Sequence, residues 1–204
     1  MSTRKVNMSR NPHKNPNPQG KGLVPVLSHW GETRPSTVNA KAPAELLFDW
    51  FASVLVLSAK FQFKPALGTI YYLYAKAGDW QLSLVGPTEW GDRETGDCLG
   101  TCELRQDMTW SITPDKGIAE KPSLQEALGT LVDAFMTGLQ SDDALDDHLP
   151  GYRRELPYYQ RMLATGLGAS LRGSATAADS LQSPLRVLLE SAGTELPRRL
   201  LHSD

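Results

Sequence analysis

The sequence predicts an α+β fold: a small antiparallel sheet of three or four strands packed with an apolar helix, then a helical C-terminal region. Three observations predict it. An apolar stretch of helical length covers residues 43–60; short β-rich segments with turn signals between them occupy 69–113; three- and four-residue apolar spacing returns after residue 123.

The first helix starts near Pro43, whose missing N–H would lack a partner in a first turn anyway, and runs to about Lys60. Glu45, Asp49, Ser53 and Lys60 form a narrow polar stripe, and leucine, valine, phenylalanine and Trp50 cover the rest. A helix that apolar is buried on several sides. It sits between the sheet and other helices, or part of it meets a second subunit, so a homodimer is one expectation. After Pro65 the period becomes strand-like. Residues 69–74 form a first strand, Ala77-Gly78-Asp79 a turn, and Trp80, Leu82 and Leu84 alternate with Gln81 and Ser83 in a second. A third strand runs from Cys98 to Arg105, Gln106-Asp107 turns the chain, and a fourth covers 108–113. Simple alternation places Cys98, Cys102 and Leu104 on one face of the third strand, and Thr101, Glu103 and Arg105 on the other.

Farther on, Ser123-Leu124-Gln125-Glu126 has the form of a capping box opening an amphipathic helix. A shorter helix is expected over 152–163, interrupted or started anew by Pro157. Residues 164–180, mostly Ala, Gly, Ser and Thr, suggest a flexible linker. A last helix covers 184–192, capped by Ser183 and stopped by Gly193. The domain expectation is therefore a disordered basic arm over 1–22, an α+β core over 23–115 and a helical region over 120–204.

Composition narrows the function classes. The chain has 204 residues, 40% apolar and 22% charged, with a net charge of −2, which gives no global reason to expect nucleic acid or an acidic membrane as partner. No apolar run is long enough to span a bilayer, since residues 46–57 are too few and include Asp49. Two cysteines four residues apart on an extended strand lie about 13 Å from each other, too far for a disulfide. Reduced thiols and a cytoplasmic location follow as expectations.

The sheet region carries unusual aromatic motifs: Gly68-Thr69-Ile70-Tyr71-Tyr72-Leu73-Tyr74, Pro87-Thr88-Glu89-Trp90-Gly91 and Asp107-Met108-Thr109-Trp110. With Ser83, Leu99-Gly100 and an entry segment at 20–27, these resemble domain-of-unknown-function family 2452, over about residues 15–113. The resemblance implies a shared fold and no activity.

No catalytic motif emerges. The four histidines are His13, His29, His148 and His202, and neither a G-x-S-x-G elbow nor a phosphate loop is present. Asp142, Asp143, Asp146, Asp147 and His148 fit no calcium or zinc spacing, so no metal or cofactor is expected. The aromatic strand ends are the most informative feature. Carboxylate beside indole can hold a cationic or planar ligand, and can equally plug a small core while capping loop N–H groups. The candidate binding residues are Tyr72, Tyr74, Glu89, Trp90, Asp107 and Trp110. The leading expectation is a non-catalytic binding or scaffolding module for a protein or peptide. An enzyme using Glu89 and Asp107 as an acid/base pair ranks second. Nucleic-acid binding through Arg4, Lys5, Arg10, Lys14 and Lys21 ranks third.

Overall fold

A computed structural model of the chain describes residues 31–76, 78–91 and 96–193; the basic arm over 1–22 and the segment over 23–27 lie outside them. Helix α1 is Pro43–Ser58, with Pro43 in its first turn. It leads into a four-stranded antiparallel sheet of β1 (Ile70–Lys76), β2 (Asp79–Ser83), β3 (Asp97–Leu104) and β4 (Trp110–Pro114), in the order β2-β1-β3-β4. Helices α2 (Pro122–Gly138), α3 (Leu145–His148), α4 (Tyr158–Ala177) and α5 (Leu185–Ala192) complete the described chain. The α+β class and the helical C-terminal region are as the sequence predicts.

α1 is the centre of the molecule because nearly all of its surface is apolar. Phe51, Ala52, Leu55 and Val56 pack with the inner sheet face, formed by Tyr71, Leu73, Leu82, Cys102, Leu104 and Ile112, and with Leu124, Leu128 and Val132 of α2. Leu46, Leu47 and Trp50 pack instead with Leu167, Leu171 and Ala175 of α4 and Leu185 and Leu188 of α5. Phe135 joins the two clusters, its ring edge-on to Trp50 at 5.4 Å and at 5.2 Å from Phe51. The apolar surplus that suggested a homodimer is thus covered within one chain. Val54, 40% exposed, is the large apolar residue of this helix that faces outward.

Three local expectations are corrected. Residues 164–177 are not linker but the body of α4, where Gly166, Leu167, Gly168, Ser170 and Leu171 are buried. The glycines serve close approach. A Cβ on Gly168 would stand 1.8 Å from the Pro150 carbonyl oxygen, and one on Gly166 would stand 2.4 Å from that of Thr33. Backbone cannot yield as a side chain tip can, so Gly168→Ala is expected to lose at least about 1–3 kcal/mol despite its better helix propensity. A urea titration at constant m-value measures this.

The capping box does not form either. Pro122 takes the first turn of α2, two residues earlier than a Ser123 cap would set, and the Ser123 hydroxyl donates to Asp97 at 3.1 Å instead of capping the helix. In α5 the cap position is Pro184, without a side-chain cap from Ser183, and Gly193 closes the helix at φ 74° as expected. No helix among the described residues is long and apolar enough to cross a membrane.

Candidate functional site

The sheet has two unlike faces, and β3 defines them through a bulge. Leu73 pairs with Gly100 and Tyr74 with Cys98, so Leu99 has no opposite number. An extra residue shifts the alternation by one. Cys98 therefore lies on the face opposite Cys102, not beside it, and both thiols are free and buried. Burial pushes the Cys98 thiol above its ordinary value, and that of Cys102 farther still.

Directly opposed residues share a face, so the register lists the outer face. Ile70 opposes Glu103, Tyr72 opposes Thr101 and Ser83, and Tyr74 opposes Cys98 and Gln81. Glu103 and Thr101 in turn oppose Ser111 and Thr113 of β4. α1 and α2 both pack on the inner face. On the outer face Ile70 is 48% exposed, and Tyr72, Thr101 and Glu103 are half-buried.

One end of that face is covered by the segment following β2. The Tyr74 hydroxyl donates to the Val85 carbonyl at 2.9 Å and accepts from the Trp90 indole N–H at 3.1 Å, with the rings edge-to-face. Burial raises the Tyr74 phenol above its ordinary value, keeping the donor proton in place. Glu89 accepts from the Gly86 N–H at 3.0 Å and closes a single 3-10 turn over Pro87–Glu89. Gly86 crosses the Tyr72 ring so closely that a Cβ there would meet its Cζ at 3.0 Å. Tyr72, Tyr74, Glu89 and Trp90 are therefore brought together.

Asp107 and Trp110 are not part of that group. Trp110 is fully buried on the inner face, edge-on to Tyr71 at 5.7 Å, with its backbone N–H donating to the Ser53 hydroxyl of α1 at 2.9 Å. It is core, with no surface for a partner. Asp107 sits in the β3–β4 turn, its carboxylate accepting from the Thr109 N–H and hydroxyl at 3.0 and 2.7 Å. Its other oxygen meets the Lys41 ammonium at 2.6 Å. Glu89 lies over the outer face, and Asp107 is tied through Lys41 to α1 on the inner side, so the paired-carboxylate arrangement required for acid/base work is not formed.

Sequence reasoning missed the charge network around Asp107. Lys41 also contacts Asp49 of α1 at 2.6 Å, and Arg105 reaches the second Asp49 oxygen at 3.0 Å. The Asp49 side chain is 2% exposed and that of Lys41 9%. Burial opposes the Lys41 charge, but the hydrogen bonds to Asp107 and Asp49 outweigh it and hold the ammonium above its ordinary value. Burial likewise opposes the Asp107 charge, and Lys41 and Thr109 together hold its carboxyl below the usual range. The network fastens α1 to the β3–β4 turn. The signal for it was legible, since an acid in so apolar a helix must find a cation.

The acidic run after α2 is similarly engaged. Asp142 pairs with Arg186, Asp146 contacts Arg172 at 2.6 Å, and Asp143 accepts from Ser141 and meets His148 at 3.1 Å. These contacts link the 141–148 connection to α4 and α5.

Residues 47–134 match the family model described as Protein of unknown function (DUF2452), the family that the aromatic motifs resemble. The matched segment begins within α1, includes the whole sheet and ends within α2. It reaches farther toward the C-terminus than the motifs suggested, and the entry segment at 20–27 lies outside it. No solved structure matches the chain.

Proposed function

We propose that this chain is a non-catalytic binding or scaffolding module that receives a protein or peptide on the outer face of its sheet. The supporting observation is the pairing of 48%-exposed Ile70 with half-buried Tyr72 on a face over which no described helix packs. Scattered apolar side chains on a surface are ordinary. Here they stand on β1, where Tyr72 lies between β2 and β3 and Ile70 lies beside β3, positions where a purely structural sheet would present polar residues to water. The segment of Glu89 and Trp90 forms a rim at one end of this surface, anchored by Tyr74. The two unbridged cysteines support a reducing, cytoplasmic setting for such a module.

An Ile70→Ser, Tyr72→Ser double variant tests the reading beside Val54→Ser, a control that removes an equally outward apolar residue from α1. Both proteins are first checked for a cooperative thermal transition. The double variant is expected to lose the partners co-purified with the unaltered chain, and the Val54→Ser variant to retain them. Retention by the folded double variant would sink the proposal.

A further inference from the structure

Resting on that reading, we infer that the occupant of the outer face is an extended cationic peptide segment, its lysine or arginine side chains meeting Glu103 and Glu89 on either side of Tyr72. The charge pattern of the face carries this. Its strand positions Gln81, Ser83, Thr101, Ser111 and Thr113 are uncharged, and Lys76 at the hairpin end already has a partner. Glu103 is half-buried, with neither an ion pair nor a side-chain hydrogen bond among the described residues; Glu89 is exposed and accepts from the Gly86 N–H. A carboxylate partly withdrawn from water, as Glu103 is, gains most from a charge-assisted contact, and the Tyr72 ring beside it adds attraction for a cation.

The register supplies the spacing. Ile70 faces Glu103 while Tyr72 faces Thr101, so Glu103 is the diagonal neighbour of Tyr72 across β1 and β3. Diagonal neighbours are about 7–8 Å apart, so one side chain of an extended peptide can meet Glu103 while the next on the same side, roughly 7 Å on, lies by Tyr72. A second copy of this face would bring Glu103 against like charge, and an anionic surface would be repelled in the same way.

A random dodecapeptide library selected against the whole chain tests the inference, with Glu103→Lys, Ile70→Ser and a remote control, Glu190→Lys on α5, as counter-screens. The expected peptides are rich in Lys or Arg. They should bind Glu103→Lys at least about tenfold more weakly, the loss of a charge-assisted contact, and Glu190→Lys unchanged. Neutral or acidic peptides that depend on Ile70 would overturn the cationic occupant and leave the outer-face reading standing. Peptides indifferent to both Glu103 and Ile70, or no enrichment at all, would overturn both.

Discussion

Lys41→Ala is expected to cost about 3–5 kcal/mol of stability, the range for removing one partner from a buried ion network. The variant leaves Asp49, 2% exposed, with Arg105 alone, and leaves Asp107 with only Thr109. Nothing in the apolar body of α1 can replace the ammonium. The pH profile should change as well. Asp107 is held below the usual carboxylate range, so its contribution is full above the unfolded value of about 3.9 and is lost as pH falls through the lower folded value. Lys41 is held above its ordinary value, so its contribution is full below about 10.4 and disappears as pH rises through the folded value. Urea midpoints measured from acid to alkaline pH should trace a plateau falling at both ends in the unaltered chain. In Lys41→Ala they should be lower throughout, with the alkaline fall reduced. A variant within about 0.5 kcal/mol of the unaltered chain would mean that the network is not formed.

Trp110→Ala should be comparably damaging, at about 3–5 kcal/mol, because it empties the largest fully buried side chain of the sheet face against α1. Trp110→Phe should cost clearly less. Among the described residues the buried Trp110 indole N–H has no hydrogen-bond partner, so phenylalanine gives up volume without breaking a bond. The order Ala worse than Phe, read from thermal or urea unfolding, separates a packing role from a contact role. Equal and small effects would return Trp110 to the candidate surface.

The sheet and its central helix were legible because their signals are periodic and local. Alternation in 79–83 and dense β-formers in 70–76 give strands, and a helix apolar nearly all round can only be interior. Illegible parts depended on contacts distant in sequence. Trp110 follows Asp107 as Trp90 follows Glu89, yet β4 turns Trp110 inward while the 84–91 segment carries Trp90 over Tyr74. Alternation also failed at Leu99, where one extra residue moved Cys98 to the other face. Gly166 and Gly168 have the composition of a linker, and only their distances to Thr33 and Pro150 reveal helix packing. For the outer face, Thr101 and Glu103 were readable as sharing one face of their strand, but the pairing of Glu103 with Ile70 needed the register.

The most direct measurement is site-specific photo-crosslinking in cells, with a photoreactive amino acid placed at Ile70 and, separately, at Val187. Both side chains are outward, 48% and 39% exposed, but Val187 belongs to α5 and not to the sheet. A binding module that uses its outer sheet face predicts a discrete adduct from position 70 that is missing from position 187. No adduct at position 70, or the same adducts from both positions, would contradict the account.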